Sequence, residues 1–487
     1  MSAARWRFPQ LRQTGSTNSR SPYEFRKCFE SRSGKTSQHR KQLIWSYVST
    51  SGANVLRVGL GAISGLMVSR LLMPRGRGEL AILLYFPTLM AAFFSLGTPQ
   101  AITALISKNP KHPEEILTTG FRLAVAQAGL AVPLFMLCAP LTLTGDNRQL
   151  AVPVQISCAC GAFMILVPYF NAMAYGLKRF TWVNAVTLAG QASYVVALVA
   201  LWLTGTLTPL AAMLSALGSQ LLQCLLHLIH IKPWWLNRRL PQGAYRQCLG
   251  LGIRFAAPSL AAVVLLNADR AILIRTTTLE QIGYFAIAFA VTMPITITTE
   301  AFTQIGFVEV SSAENAGASL ALTLRRFQMA QVVAGASFLV ACALVGPVIR
   351  LGFGKAYLIA IPAAYPLALA MSLRAMARTL ENNLRGLRFI VPGTLGAAIN
   401  LTVLILLSAF LVPKWGAFGF CCAVLVAEAI YLLCLALYLT TQQGVRLPSL
   451  WGFRPSIVRA MTLALVELFR EKVLTENRSE EVAESAC

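Results

Sequence analysis

The feature that most constrains this chain is a series of apolar runs between Leu43 and Leu439, separated only by short polar breaks. A helix needs roughly 20 apolar residues to cross a bilayer, and each run is about that long. Backbone groups in lipid must be satisfied internally, so only helices and closed barrels span membranes. Barrel strands alternate apolar and polar residues, whereas these runs are continuously apolar. The sequence therefore predicts an all-α integral membrane protein.

The apolar runs predict about twelve transmembrane helices. In the first half of the chain they lie near residues 43–72, 80–106, 116–140, 149–175, 181–204 and 208–231. In the second half they lie near residues 247–275, 281–308, 327–349, 357–384, 391–412 and 416–440.

Two short motifs recur at a spacing of six predicted helices. Gly78-Glu-Leu-Ala-Ile82 opens the second helix and matches Gly283-Tyr-Phe-Ala-Ile287, which opens the eighth. Gly176-Leu-Lys-Arg-Phe180 follows the fourth helix and matches Gly386-Leu-Arg-Phe389 after the tenth. An even number of helices per repeat gives two parallel repeats, related by an axis along the membrane normal. The predicted fold is therefore two parallel six-helix repeats around a central cavity.

Basic residues set the predicted orientation. The chain has 42 Lys and Arg against 19 Asp and Glu, a formal charge of +23. Roughly two thirds of the basic residues lie in the two tails and in alternate loops, as expected of cytoplasmic segments. We therefore predict a multi-pass membrane protein with both termini in the cytoplasm, and no nucleic-acid partner.

These patterns give five predicted regions. The N-terminal tail is rich in Arg, Ser and Gln and cannot bury a core, whereas the C-terminal tail places apolar residues among basic ones. The regions are a disordered basic cytoplasmic tail (1–42), an N-terminal six-helix bundle (43–231), a cytoplasmic linker (232–246), a C-terminal six-helix bundle (247–440) and a cytoplasmic amphipathic tail (441–487).

Catalytic and metal-binding patterns are not found in the sequence. The 11 cysteines lie mostly within apolar runs and lack the spacing of a ligand set, so they are predicted to be small packing residues. No loop between the spans is long enough for a soluble catalytic domain. We therefore expect no enzyme activity, metal or cofactor.

Two hairpins resemble those of a known family. Leu71-Leu-Met-Pro-Arg-Gly-Arg-Gly-Glu-Leu-Ala81 is similar to the Pro- and Gly-rich first hairpin of bacterial polysaccharide-biosynthesis flippases. Leu266-Asn-Ala-Asp-Arg-Ala-Ile-Leu-Ile274, followed by Leu279-Glu-Gln-Ile-Gly-Tyr-Phe285, resembles their second-half hairpin. These flippases belong to the multidrug/oligosaccharidyl-lipid/polysaccharide (MOP) exporter superfamily, and the resemblance covers roughly residues 43 to 440.

The resemblance implies a substrate and a set of partners. The substrate would be an oligosaccharide linked to undecaprenyl pyrophosphate, turned from the inner to the outer leaflet by alternating access for surface polysaccharide assembly. Membrane lipids would surround the protein, and a polysaccharide polymerase and glycosyltransferases would be its partners.

A charge in hydrocarbon costs roughly 2.5 to 3.5 kcal/mol, so each charged residue within a span needs a partner or a water-filled cavity. Arg57 is predicted near the membrane midplane of the first span, with Asn54 on the same helix face. A planar guanidinium matches phosphate oxygens, so Arg57 suits a cavity wall. The alternative is a structural ion pair with Glu428 of the twelfth span.

The seventh span carries Arg254 toward the cytoplasm, and Asp269 with Arg270 toward the outside. Arg254 is placed to meet a headgroup, whereas Asp269 is predicted to form an ion pair that steadies a gate, with ion binding as the alternative. Arg122 in the third span and Glu300 in the eighth also lie toward the cytoplasm.

Arginine outnumbers acidic residues in the spans, which suits an anionic ligand. We predict that Arg57, Arg254 and Arg374 hold the pyrophosphate, and the full predicted substrate site is Arg57, Arg254, Arg374, Asn54 and Arg122. The predicted ion-coupling or gating residues are Glu300, Glu428, Asp269 and Arg270, and the coupling ion would be Na⁺ or H⁺.

Two other functions stay open at this stage. A multidrug cation antiporter of the same superfamily would be expected to have more acids than arginines at its cavity. A membrane scaffold for a polysaccharide synthesis complex would tolerate apolar substitutions in the cavity.

Overall fold

The computed structural model of the chain describes residues 22–95, 97–108, 113–231, 243–299, 303, 310, 316–387, 389 and 391–450. Side chains are described from residue 56 onward, except at 58, 146, 254–266, 316–318 and 447. The chain divides into two units, residues 1–55 and 56–487. The described part of the first unit is the beginning of the first helix, and all other described elements belong to the second.

Every regular element in the described ranges is a helix. The α-helices are α1 Pro22–Ser95, α2 Thr98–Lys108, α3 Glu114–Cys138, α4 Ala151–Cys160, α5 Ala162–Gly176, α6 Phe180–Leu203, α7 Pro209–Ile231, α8 Ala244–Thr276, α9 Leu279–Thr292, α10 Ala316–Pro347, α11 Ala360–Gly386, α12 Val391–Gln443 and α13 Leu447–Leu450. Short 3-10 or π-helical turns lie at Pro140–Thr142, Gly145–Leu150, Val348–Phe353 and Lys355–Tyr357.

Two of the long helices each contain two membrane spans. The backbone of α1 leaves helical geometry at Met73 (φ 60°), and that of α12 does so at Gly416 (φ 54°). Pro74 explains the first kink, because proline lacks an amide donor and excludes the residue before it from helical geometry. We call the segments before and after each kink the first and second arms.

The predicted all-α membrane fold is confirmed. Among the described residues, nine helical stretches are long and apolar enough to cross a membrane. Two of these, in α1 and α12, are divided by the kinks, and α8 adds a further span of 33 residues. Counted in this way, the described residues form six membrane helices on each side of residues 232–242, in agreement with the predicted number.

The limits of two predicted segments differ from the structure. Helix α1 extends back to Pro22, so residues 22–42, which we predicted to be disordered, are helical. The second span begins at Pro74 rather than near residue 80, because the chain resumes helical geometry directly after Met73. The predicted amphipathic tail lies beyond residue 450, outside the described residues.

Three clusters of buried apolar side chains hold the second unit together. The largest contains residues from both halves, among them Val68, Leu80, Leu279 and Phe420. A second cluster combines first-half helices with the start of α8, and a third belongs to α10, α11, α12 and the segment after it. Among the described residues, the two halves therefore share one core at the predicted outer end, and the start of α8 also packs against the first half.

Candidate functional site

The predicted outer end is closed by a crossing of two helices, the second arm of α1 and α9. A Cβ atom at Gly78 would lie 1.8 Å from the carbonyl oxygen of Leu279, and one at Gly283 would lie 2.1 Å from that of Pro74. Only glycine permits these two backbone approaches. Gly78 and Gly283 are the equivalent glycines of the repeat motifs, so the crossing is reciprocal.

Side-chain donors add to this closure. These hydrogen bonds join the two halves of the chain. In the first half, Arg70 Nε donates to the backbone oxygen of Gly352 at 2.5 Å, and Asn147 Nδ2 donates to that of Ile274 at 2.7 Å. In the second half, Tyr357 Oη donates to the backbone oxygen of Ser69 at 2.9 Å. Each donor satisfies a carbonyl near the end of a helix, where intrahelical partners are missing. The outer closure is thus polar as well as apolar.

A cavity of about 290 Å³ lies beside this crossing, between the second arm of α1, α8 and α9. Its lining includes Arg77, Tyr85, Arg270 and Phe289. Tyr85 donates a hydrogen bond to the backbone oxygen of Asn267 at 3.3 Å, which ties α1 to α8. The volume is at the low end of small-molecule pockets, about 300 to 1,000 Å³, so it suits a headgroup fragment.

The cavity has a positive charge. Arg77 and Arg270 repel each other, and no Asp or Glu is among the described lining residues. The Nε atom of Arg77 is buried without a hydrogen-bond partner in the described chain. The Arg270 guanidinium lies 5.5 Å from the centre of the Phe289 ring, a cation–π contact that fixes its position. An anion between the two arginines would remove their repulsion and supply the missing acceptor.

A second charged cluster, which we call the triad, lies in the second half of the chain. Arg374 on α11 donates from Nε to Glu428 Oε1 on α12 at 2.7 Å and from one terminal nitrogen to Asp269 Oδ2 on α8 at 3.0 Å. All three side chains are at least 90% buried. The second oxygens, Asp269 Oδ1 and Glu428 Oε2, have no hydrogen-bond partner among the described residues.

The triad changes the predicted role of Arg374. Its guanidinium is engaged by two carboxylates, so we no longer place it among the residues that hold pyrophosphate. The alternative pair between Arg57 and Glu428 is also wrong, because Glu428 bonds to Arg374. Asp269, predicted to form an ion pair, has this same arginine as its partner.

Arg57 is exposed on the first arm of α1. Its side chain interacts electrostatically with Tyr175, one residue before the end of α5. Its position near the membrane midplane stays a prediction.

The other predicted residues are scattered or not described. Arg122 is half-buried on α3, nine residues into that helix. The side chains of Arg254 and Asn54 are outside the described set, and so is Glu300. Arg270 is the predicted residue that the structure places in the cavity, and it lies there with Arg77.

Arg77 was missed because of the predicted helix boundary. The predicted spans 43–72 and 80–106 left Arg77 in the turn between them, whereas it occupies the first turn of the second arm of α1. A signal was present in the sequence, since Arg77 directly precedes the repeat glycine Gly78 and Arg270 lies in the second hairpin motif. Both arginines are thus adjacent to or inside the segments that carry the family resemblance.

Comparisons with known proteins agree with this architecture. A family model described as polysaccharide biosynthesis protein matches residues 45–307, more than half of the chain. A comparison with curated protein sequences found no match.

Solved structures of low sequence identity share the fold. The lipid II flippase MurJ in an inward closed conformation has a TM-score of 0.67 at 14% identity, covering 81% of this chain and 88% of its own. A multidrug resistance MATE family transporter of the MOP superfamily scores 0.65 at 12% identity when inward-facing, covering 80% of this chain and 96% of its own. An outward-facing MATE structure scores 0.55 at 12% identity, with 82% and 96% covered.

The resemblance noted in the hairpin motifs is confirmed by the family model and by the shared fold. The chain therefore belongs to the polysaccharide biosynthesis protein family and has the fold of MOP superfamily transporters.

Proposed function

We propose that this protein turns an oligosaccharide linked to undecaprenyl pyrophosphate from the inner to the outer leaflet of a bacterial inner membrane, by alternating access. The observation that carries the proposal is the cavity with two arginines and no described carboxylate. Guanidinium groups bind phosphate oxygens through charge-assisted hydrogen bonds. The cavity of about 290 Å³ has room only for the pyrophosphate group, so the sugars and the lipid tail would extend beyond it.

The family supports a sugar-containing substrate, and the fold supports membrane transport. The matched family is named for polysaccharide biosynthesis, and we take this to mean assembly of a surface polysaccharide from lipid-linked sugars on the outer side of the membrane. Two parallel helical bundles that share a core at one end can exchange which end is closed. We propose that Arg77 and Arg270, one from each half, meet the pyrophosphate at the point where the halves join.

A multidrug cation antiporter is the competing function, because MATE transporters have the same fold. The charge of the cavity disfavours it. An organic cation would meet two guanidinium groups at close range, and like charges in a poorly hydrated site repel strongly.

The test is ligand binding by purified protein in lipid nanodiscs, with undecaprenyl pyrophosphate and tetraphenylphosphonium as probes. Arg77→Gln and Arg270→Gln each remove a charged hydrogen-bond donor, which contributes about 1.5 to 3 kcal/mol, so affinity for the pyrophosphate lipid should fall by about 10- to 100-fold. Arg75→Gln is the matched control, because Arg75 is exposed and pairs with Glu79 at 3.6 Å outside the cavity lining.

Unchanged binding in both cavity variants would refute the site. Preferential binding of tetraphenylphosphonium by the wild type would favour the antiporter. If Arg77→Leu and Arg270→Leu strains assemble normal surface polysaccharide, a scaffold function is favoured instead, since a scaffold does not use its cavity.

A further inference from the structure

One face of α6 carries only uncharged polar side chains. Asn184, Thr187, Gln191 and Tyr194 follow one another at intervals of three, four and three residues, which puts them on one side of the helix over roughly 15 Å. All four side chains are half-buried. We call these four residues the polar track. Because α6 contains no Asp, Glu, Lys or Arg, the track offers hydrogen bonds without charge.

The polar track does not face lipid. The exposed apolar residues of α6, among them Val196, Val199 and Leu203, lie on a different face of the helix. Polar side chains within a membrane span almost always turn toward the bundle interior or a water-filled cavity. Since neighbouring helices leave the track only half-buried, it forms the wall of an accessible space within the protein.

The first arm of α1 forms the facing wall of this space. Gln191 Nε2 donates a hydrogen bond to Ser64 Oγ at 3.5 Å, which fixes the level at which the two helices meet. Both helices run toward the predicted outer end, so about one turn earlier Thr187 lies at the level of Gly61. An added Cβ at Gly61 would meet no atom of the described chain within 4 Å. There is thus open space beside the track.

The polar track ends beside the charged cavity. Tyr194, its last member toward the predicted outer end, interacts electrostatically with Arg77, which lines the cavity. Tyr194 also packs against the core that the two halves share. A pyrophosphate between Arg77 and Arg270 would therefore have the track next to it. Groups that are attached to the pyrophosphate and are too large for the cavity would continue along α6.

We propose that the polar track is the sugar subsite of this transporter, in which amide and hydroxyl side chains recognise the hydroxyl groups of the oligosaccharide. This inference rests on the proposed function, which supplies the lipid-linked oligosaccharide. Amides and hydroxyls both donate and accept hydrogen bonds, as sugar hydroxyls do, so each can satisfy the other. A further phosphate would call for guanidinium or ammonium groups, which α6 lacks. The track therefore suits the sugars, and the two cavity arginines suit the pyrophosphate.

The experiment compares the binding of two lipids to the full-length protein in nanodiscs. One lipid is undecaprenyl pyrophosphate, and the other is the undecaprenyl-pyrophosphate oligosaccharide extracted from a strain in which this gene is deleted. The ratio of the two dissociation constants measures what the sugars contribute. We expect the wild type to bind the sugar-bearing lipid more tightly by about 10-fold or more, because a single neutral hydrogen bond contributes about 2- to 12-fold.

Asn184→Leu and Gln191→Leu each remove the hydrogen-bonding group of a track residue. Each should weaken binding of the sugar-bearing lipid by about 2- to 12-fold and leave binding of undecaprenyl pyrophosphate unchanged. Ser193→Ala is the matched control, because Ser193 lies on the opposite face of α6 from Gln191 and donates within its own helix to the backbone oxygen of Gly190. A general defect in folding would instead lower the binding of both lipids.

Gly61→Leu tests the open space beside the track independently. The added side chain would occupy the space at the level of Thr187, so affinity should fall for the sugar-bearing lipid alone. Gly129→Leu is its control, because an added Cβ at Gly129 also meets no described atom within 4 Å and α3 is part of neither wall.

Equal affinity of the wild type for the two lipids would overturn the sugar subsite and leave the proposed function standing. The same conclusion follows if the track variants and Gly61→Leu behave like their controls or weaken both lipids equally. If the wild type binds neither lipid, the proposed function and the sugar subsite are both wrong.

Discussion

At the residue scale, Arg374 combines a structural and an electrostatic role. It bridges α8, α11 and α12 through two short charged hydrogen bonds and is itself buried. Such a cluster costs free energy to bury, and its members depend on one another once buried. The effect of a substitution therefore depends on which charge is left alone.

Arg374→Ala is expected to be strongly destabilising. It would leave two buried carboxylates without their counter-ion, and breaking a buried pair in this way costs about 3 to 5 kcal/mol. The measurement is thermal or denaturant unfolding of the purified protein. Arg57→Ala is the control, because the side chain of Arg57 is exposed and its removal should have little effect on stability. Equal stability of the two variants would show that the triad does not hold the three helices together.

At the element scale, the crossing of the second arm of α1 with α9 depends on two glycines. An added Cβ at Gly78 lies 1.8 Å from a carbonyl oxygen, and contacts under 3.0 Å are essentially never seen, so the backbones must separate by at least 1.2 Å. The same argument applies to Gly283. Because the repeats place these glycines opposite each other, one substitution affects both sides of the crossing.

Gly78→Ala and Gly283→Ala are each expected to shift the protein toward outward-open states. The physical reason is steric, since the added methyl group cannot be accommodated while the outer ends stay in contact. The measurement is the distance between spin labels on non-canonical amino acids at positions 75 and 280, which should lengthen. Gly129→Ala is the matched control, because a Cβ there meets nothing within 4 Å. Unchanged distances in both crossing variants would contradict a role in closure.

At the scale of the whole molecule, the structure is closed at one end, and the basic loops predict that this end faces outward. The predicted outer closure involves α1, α8, α9 and the segment between α10 and α11. On the proposed function, a substrate from the cytoplasmic leaflet has to reach the cavity from the opposite, inner side. The direction of transport depends on this orientation.

The orientation is tested with alkaline phosphatase fusions, since this reporter needs disulfides and is active only outside the cytoplasm. We expect activity for a fusion after Thr206, in the turn between α6 and α7, and none for a fusion after Ile231 at the end of α7. The positive-inside rule is the reason, because the segment after Ile231 contains Lys232, Arg238 and Arg239. The reverse pattern would invert the predicted direction of transport.

The hydrophobic pattern determined the all-α membrane class and about twelve spans, and two recurring motifs determined the two parallel repeats. These features depend on residues close together in the sequence, and lipid permits few other solutions. The glycines of the repeat motif could also be found from the sequence. Their reciprocal contact could not, since it depends on how two distant helices cross.

Only the tertiary structure decided which charges belong to the cavity. Arg374 was predicted to bind substrate, but its partners are 54 and 105 residues away and reach it through helix packing. Arg77 was assigned to a loop, and a kink at Met73 places it in the cavity wall instead. The charge of a side chain can be read from the sequence, whereas its counter-ion is set by neighbouring helices whose arrangement no local pattern specifies.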